Sequence, residues 1–105
     1  MVSNPKNVTV NMTFRNTEGT ESIKNFVTEK VTHTLQKFVH HDTDVHVVLT
    51  VEKNCQIAEI SFNTDGNYFV SKEETKDLYT SIDSAINTLS GQLRKHKEKL
   101  TNKHK

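Results

Sequence analysis

Val45-His-Val-Val-Leu-Thr-Val51, Lys53-Asn-Cys-Gln56, Ala58-Glu-Ile-Ser-Phe62, Thr64-Asp-Gly-Asn67 and Tyr68-Phe-Val-Ser71 follow one another along the chain. The first block is a β-branched run suited to an interior strand, with Val47, Leu49 and Val51 toward a core. Lys53 to Gln56 is polar and reads as a turn. After it, Ala58, Ile60 and Phe62 alternate with Glu59, Ser61 and Asn63, the period of a strand with one wet face. Asp65-Gly66 suits a tight hairpin turn, so Tyr68 to Ser71 can pair back as a short fourth strand. Three strands joined by short turns are antiparallel neighbours, which fixes most of a sheet.

Working outward, Val8, Val10, Met12 and Phe14 alternate with Thr9, Asn11 and Thr13, giving a first strand over roughly residues 6–14. Past Gly19, Thr20 can cap a helix whose first turn holds Glu21, where the dipole favours an acid. Ile23, Phe26, Val27, Val31, Leu35 and Phe38 form one apolar stripe, so this helix runs to about Val39. Lys24, Lys30 and Lys37 lie off or beside the stripe. A second helix is expected from about Thr75, with Glu73, Glu74 and Asp77 around its start. Leu78, Ile82, Ala85, Ile86, Leu89, Leu93 and Leu100 share its inner face, and Tyr79 sits on the edge. At ~1.5 Å per residue, some 25 residues make a helix of about 38 Å, longer than a small sheet covers. Its last turns should therefore project, fray or be held by a partner. Gly91 lies within it with no packing reason visible in the sequence, although an interior glycine costs on the order of 1 kcal/mol.

The order β-α-β-β-β-α predicts an α+β fold, with two helices layered on one face of a four-stranded sheet. A right-handed crossover through the first helix makes strands one and two parallel. With 105 residues and no linker or repeat, residues 1–105 are expected to form a single domain. There is no apolar run long enough for a membrane span and no export signal. Cys55 is the only cysteine, so no internal disulfide is possible, and a cytoplasmic location is the simplest expectation. Without a secretory route the sequons at Asn7 and Asn11 carry no weight.

Candidate chemistry is sparse. His40, His41 and His46 with Asp42 and Asp44 lack a recognised metal-ligand spacing and read as a polar connection. Cys55 has only Lys53 nearby to lower its pKa and is taken as incidental. No glycine-rich phosphate loop and no nucleophile–base order is present, so the chain is expected not to be an enzyme and to need no cofactor. Charge is the informative feature. Arg94-Lys-His-Lys-Glu-Lys-Leu-Thr-Asn-Lys-His-Lys105 holds six of the fourteen basic residues against the single acid Glu98, whereas residues 1–93 carry eight bases and twelve acids. Such a cationic pole on an otherwise acidic domain fits phosphate backbones. On a helical wheel its cations surround the axis, which argues against a mere outer face of a packed helix. No exposed rings interleave with the bases, so a folded RNA met through backbone and shape fits better than base readout.

Asp77-Leu-Tyr-Thr-Ser-Ile-Asp83, followed by Leu89, Gln92-Leu93 and Lys95-His-Lys97, resembles the second-helix signature of the ribosome hibernation promoting factors, the family that also contains the ribosome-associated inhibitor. Val47-Val-Leu-Thr-Val-Glu-Lys53 resembles the family's second strand, and Thr20-Glu-Ser-Ile-Lys-Asn-Phe-Val27 its first helix entry. The resemblance spans nearly the whole chain. It implies a β-α-β-β-β-α fold similar to a double-stranded RNA-binding domain, and a non-catalytic mechanism. The protein would bind the small ribosomal subunit and its rRNA between head and body, occupy the tRNA and mRNA channel, and block translation by occlusion in stationary phase or stress. Carried onto this chain, the matching cations are Lys24, Lys30, Lys53, Lys95, Lys97 and Lys99; Arg94 is added from charge. The family commonly has a basic residue just before Gln-Leu, where this chain has Gly91.

Ending at Lys105, the chain resembles the short factors, without the extra C-terminal domain of long members or the acidic extension of the ribosome-associated inhibitor. The resemblance then implies ribosome modulation factor as a partner in inactive ribosome dimers, and a monomer when free. The competing expectation is a protein-interaction module docking an acidic protein through the lysine-rich helix or a sheet edge.

Overall fold

In a computed structural model that describes residues 7–101, with side chains described to position 98, the elements are β1 Val8–Arg15, α1 Glu21–Leu35, β2 Thr43–Glu52, β3 Cys55–Thr64, β4 Asn67–Thr75 and α2 Leu78–Thr101. The strands lie in the order β1-β2-β3-β4. β1 is parallel to β2, with Val10 beside Val45 and Phe14 beside Leu49, while β2–β3 and β3–β4 are antiparallel. Alternation puts Val45, Val47 and Leu49 of β2 in register with Phe62, Ile60 and Ala58 of β3, all on the buried face. Both helices cover that face: Val27, Val31 and Leu35 of α1 and Leu78, Ile82, Ala85, Ile86, Leu89 and Leu93 of α2 join the same cluster.

Turn chemistry places the elements. Asp65 and Gly66 both have positive φ, 55° and 75°, the pair of left-handed residues a type I′ turn requires. Thr20 caps α1 by accepting from the Ile23 amide at 3.2 Å. At Gly19 an added Cβ would overlap the outer edge of the Phe14 ring, so a side chain there would require that ring to shift. Two buried hydroxyls pin α2 to the sheet: Ser71 donates to the Ala85 carbonyl at 2.9 Å, and Ser81 donates to the Gln56 carbonyl at 2.7 Å.

Several boundaries differ from expectation. β4 continues to Thr75 because β3 is ten residues long and the residues at its amino-terminal end need a partner: Ile57 pairs with Glu74 and Gln56 with Thr75. Glu73 and Glu74 are consequently strand residues, and α2 starts at Leu78 with no acid in its first turn. α1 ends at Leu35, after which the amides of Phe38 and Val39 both return to the Leu35 carbonyl. β2 begins two residues early, at Thr43, and Cys55 already belongs to β3. Lys6, placed in the first strand from sequence, and the Leu100 side chain, placed on the inner stripe, lie outside the described set.

Candidate nucleic-acid interface

Strand direction decides where the candidate cations go. β1, β2 and β4 all point toward the Lys53 turn, so α1 and α2 both start at that end and run back. Lys24, in the first turns of α1, and Lys53 therefore share one end of the molecule. The return path of α2 along β4 is marked by Thr88 donating to Glu73 at 3.0 Å, Gln92 donating to the Val70 carbonyl at 3.3 Å, and His96 Nε2 at 3.3 Å from Asp65 Oδ2. This brings Arg94, Lys95 and Lys97 together at the opposite end, by the Asp65–Gly66 turn. Lys30 sits between the ends, 3.6 Å from Asp83 of α2 and with its Nζ 5.7 Å from the Phe26 ring centre. The predicted set is thus divided between the α2 end, where Arg94, Lys95 and Lys97 cluster, and the Lys53 end, where Lys24 and Lys53 stand among Glu18, Glu21, Glu52, Glu74 and Asp77, with the half-exposed Lys30 between them. Lys99 is within α2, but its side chain, like Lys103 and Lys105, lies outside the described set.

The end of α2 stays docked further than the wheel suggested. Leu93 is 2% exposed, and His96 packs edge-on against Phe69 with ring centres 5.4 Å apart. Arg94, Lys95 and Lys97 are exposed. Up to Glu98 they therefore form the outer arc of a packed helix, because Leu93 and His96 take the inner arc, and the expectation of cations all round the axis is corrected for these residues. β4 spans about 31 Å at ~3.4 Å per residue and α2 about 36 Å at ~1.5 Å per residue, so the helix outruns the strand that carries it.

The residues of the second-helix motif turn out to hold the layer together. Asp77 precedes α2 and accepts from both the amide and the hydroxyl of Thr80, each at 2.9 Å, as an N-cap. Leu78 and Ile82 are buried. Tyr79 meets Phe26 of α1 edge-to-face, ring centres 4.9 Å apart at 71°, and Asp83 reaches Lys30. Gln92 occupies an outward carbonyl of the edge strand, which blunts that edge. Gly91 has nothing within 4 Å of an added Cβ, so packing leaves the position open.

One feature of this end was not visible in the sequence. Tyr68 is 64% exposed and, with Asn67, Phe69, Gln92, Lys95 and His96, lines a cleft of about 400 Å³ over the β4 edge. A ring and cations separated along the chain become neighbours only because α2 returns along β4. Elsewhere, the Cys55 thiol is pushed up to about 11, first by desolvation and then by its hydrogen bonds to Glu74 and Glu52. Asp42 accepts from the Asn7 amide at 2.9 Å, a strand-end role. Among the described residues no three His, Cys, Asp or Glu are placed to hold a metal ion, and no helix is long and apolar enough to cross a membrane.

Comparison with known proteins agrees with this architecture. The family described as sigma 54 modulation protein / S30EA ribosomal protein matches residues 10–101. A ribosome hibernation promoting factor of Klebsiella oxytoca is 38% identical over 91 residues, covering 87% of this chain and 95% of the relative. The protein of the same name from Escherichia coli K12 is 36% identical with the same coverage. Among solved structures, the N-terminal domain of Thermus thermophilus Protein Y superposes with a TM-score of 0.76 at 28% identity, covering 86% of this chain and 98% of that one.

Proposed function

This chain belongs to the sigma 54 modulation protein / S30EA ribosomal protein family, and from that premise we propose that it is a ribosome hibernation factor. It acts without catalysis, in the cytoplasm, by binding the small ribosomal subunit through rRNA and occupying the tRNA and mRNA channel, so that translation stops in stationary phase or stress. The whole chain, 1–105, serves as one ribosome-binding domain and is monomeric when free. Where ribosome modulation factor is present, the two act together in inactive ribosome dimers.

The observation that carries this reading is the exposed trio Arg94, Lys95 and Lys97 on the outer arc of α2, at the end where the helix outruns the sheet. Rigidly docked cations with acids largely elsewhere are suited to phosphate oxygens, and releasing counterions makes the contact favourable without base readout. Support also comes from relatives named ribosome hibernation promoting factor that cover 87% of this chain. Lys24 and Lys53, at the other end of the sheet, are further candidate contacts, so the bound RNA surface extends along the domain rather than over a single groove.

A sucrose-gradient profile of ribosomes with and without the protein tests partner and consequence together. The expected result is cosedimentation with small subunits that weakens as salt rises, with a shift away from translating ribosomes. Absence from subunit and ribosome fractions at every salt concentration would refute the reading. Persistence of the captured partners after RNase treatment would favour docking to an acidic protein instead.

A further inference from the structure

The cleft over the β4 edge contains the components of a nucleotide site. We propose that it takes one unstacked nucleotide of an RNA strand, the base lying on Tyr68 and the adjoining phosphate on Lys95. This deepens, and rests on, the reading of the chain as an rRNA binder.

An exposed tyrosine by itself signifies little. Its surroundings give this one a use. Tyr68 belongs to the outward-facing row of β4, so the strand alternation gives it no core to fill, and it is the most exposed large hydrophobic side chain among the described residues. Across the strand edge stand the exposed Lys95, the Gln92 amide and the His96 ring. A base needs a flat ring to stack on and its phosphate a cation, and every base presents a π-face, so the combination is tolerant of sequence. At about 400 Å³ the cleft falls in the range of small-ligand sites, ~300–1,000 Å³. A duplex keeps its bases stacked inside; only an unpaired loop, bulge or end can offer one to this ring.

The site is also held in place. The type I′ turn fixes the start of β4, and the Asn67 side chain donates to the Asp65 carbonyl at 3.2 Å. Phe69 stacks on Phe62 beneath it, ring centres 5.5 Å apart, and Gln92 ties α2 to the strand through the Val70 carbonyl. Asp65, one of the carboxylates at this end, is engaged by His96, with Oδ2 3.3 Å from Nε2. The backbone that carries Tyr68 and Lys95 is thus fixed, and the ligand has only these two exposed side chains to order.

The chain has two tyrosines and no tryptophan, which supplies a direct probe. In the full-length Tyr79→Phe variant Tyr68 is the sole tyrosine, and a short single-stranded RNA oligonucleotide should quench its emission saturably, whereas a blunt RNA duplex should not. In parallel, Tyr68→Ala should weaken binding to small subunits roughly tenfold or more, with Tyr68→Phe within about twofold of the parent, since the ring rather than the hydroxyl makes the contact. The salt dependence of Tyr68→Ala should match the parent because no charge is lost, while Lys95→Gln should lower the slope by about one. Unchanged affinity in Tyr68→Ala, or Tyr68 emission indifferent to the oligonucleotide, would overturn the proposal. Failure of the underlying rRNA reading looks different: the parent protein itself would bind no subunit at any salt, and the quenching experiment would then decide the cleft alone.

Discussion

Replacing Arg94 and Lys97 together with glutamine isolates the electrostatic part of binding, since both are exposed on α2 and neither lines the Tyr68 cleft. Glutamine is a good helix former, so the fold should be retained. If each cation meets one phosphate, its removal lowers the slope of log K against log salt by about 0.7 to 0.9, or about 1.4 to 1.8 for the pair. The electrostatic term vanishes near ~1 M salt, and going from there to ~0.15 M spans about 0.8 log units, so the double variant should bind about 15- to 30-fold more weakly at physiological salt and about equally near 1 M. Anisotropy of labelled protein titrated with purified small subunits across a salt series measures both quantities. Lys72→Gln, an exposed charge on the open face of the sheet, is the control and should leave the slope unaltered. An unchanged slope in the double variant, or an equal loss from Lys72→Gln, would refute the assignment of the α2 end as the phosphate-binding surface.

Asp77→Ala removes the α2 cap and should cost about 0.5–2 kcal/mol, lowering Tm by several degrees in a thermal melt while leaving the salt slope of subunit binding intact. Gly91→Ala should stabilise the domain by about 0.5–1 kcal/mol, because the helical backbone accepts a side chain and nothing lies within 4 Å of it; a lower Tm would contradict this. Gly91→Arg should in addition steepen the salt dependence of binding by about one unit. The thiol of Cys55, pushed up to about 11, holds its proton at neutral pH, so alkylation followed by mass spectrometry should be slow at pH 8 and accelerate only as pH rises toward 11; a free-cysteine rate at pH 8 would show that the carboxylates of Glu74 and Glu52 do not control it.

The sheet was legible in the sequence wherever a two-residue period met a turn with its own chemistry. Val45–Val51 is a β-branched run, Ala58–Phe62 alternates, and Asp65-Gly66 allows only a narrow choice of connection, so three antiparallel neighbours could be read from local pattern. The stripe of α2 was equally legible. What escaped was set by partners rather than by local pattern. Lys72-Glu-Glu-Thr75 reads as a charged helix approach, yet it is strand because β3 extends past it and its backbone groups need pairing. The cationic residues could be picked out by charge, but their division between two ends depends on strand directions that single residues do not encode. Tyr68 was missed for the same reason: a search for rings interleaved with bases along the chain does not see a ring and a lysine that meet across a strand edge.

The motif that carried the family resemblance has a structural meaning distinct from contact with RNA. Asp77 starts α2, Leu78 and Ile82 seat it, Tyr79 braces it against Phe26, and Asp83 engages Lys30, so nearly every position of the motif is spent on the docking of α2 against α1 and the sheet. Gln92 and His96 then fix the far end against β4. The consequence is geometric: a helix held at its start, along its length and at position 96 presents Arg94, Lys95 and Lys97 at a defined distance from Lys24 and Lys53. Lys30 differs from the other candidate cations in this respect, because its ion pair with Asp83 must compete with any phosphate. Removing that ion pair by Asp83→Asn should therefore loosen the helix pair and yet free Lys30, and the two effects separate in experiment: the first appears in the melting temperature, the second as a steeper salt dependence of subunit binding.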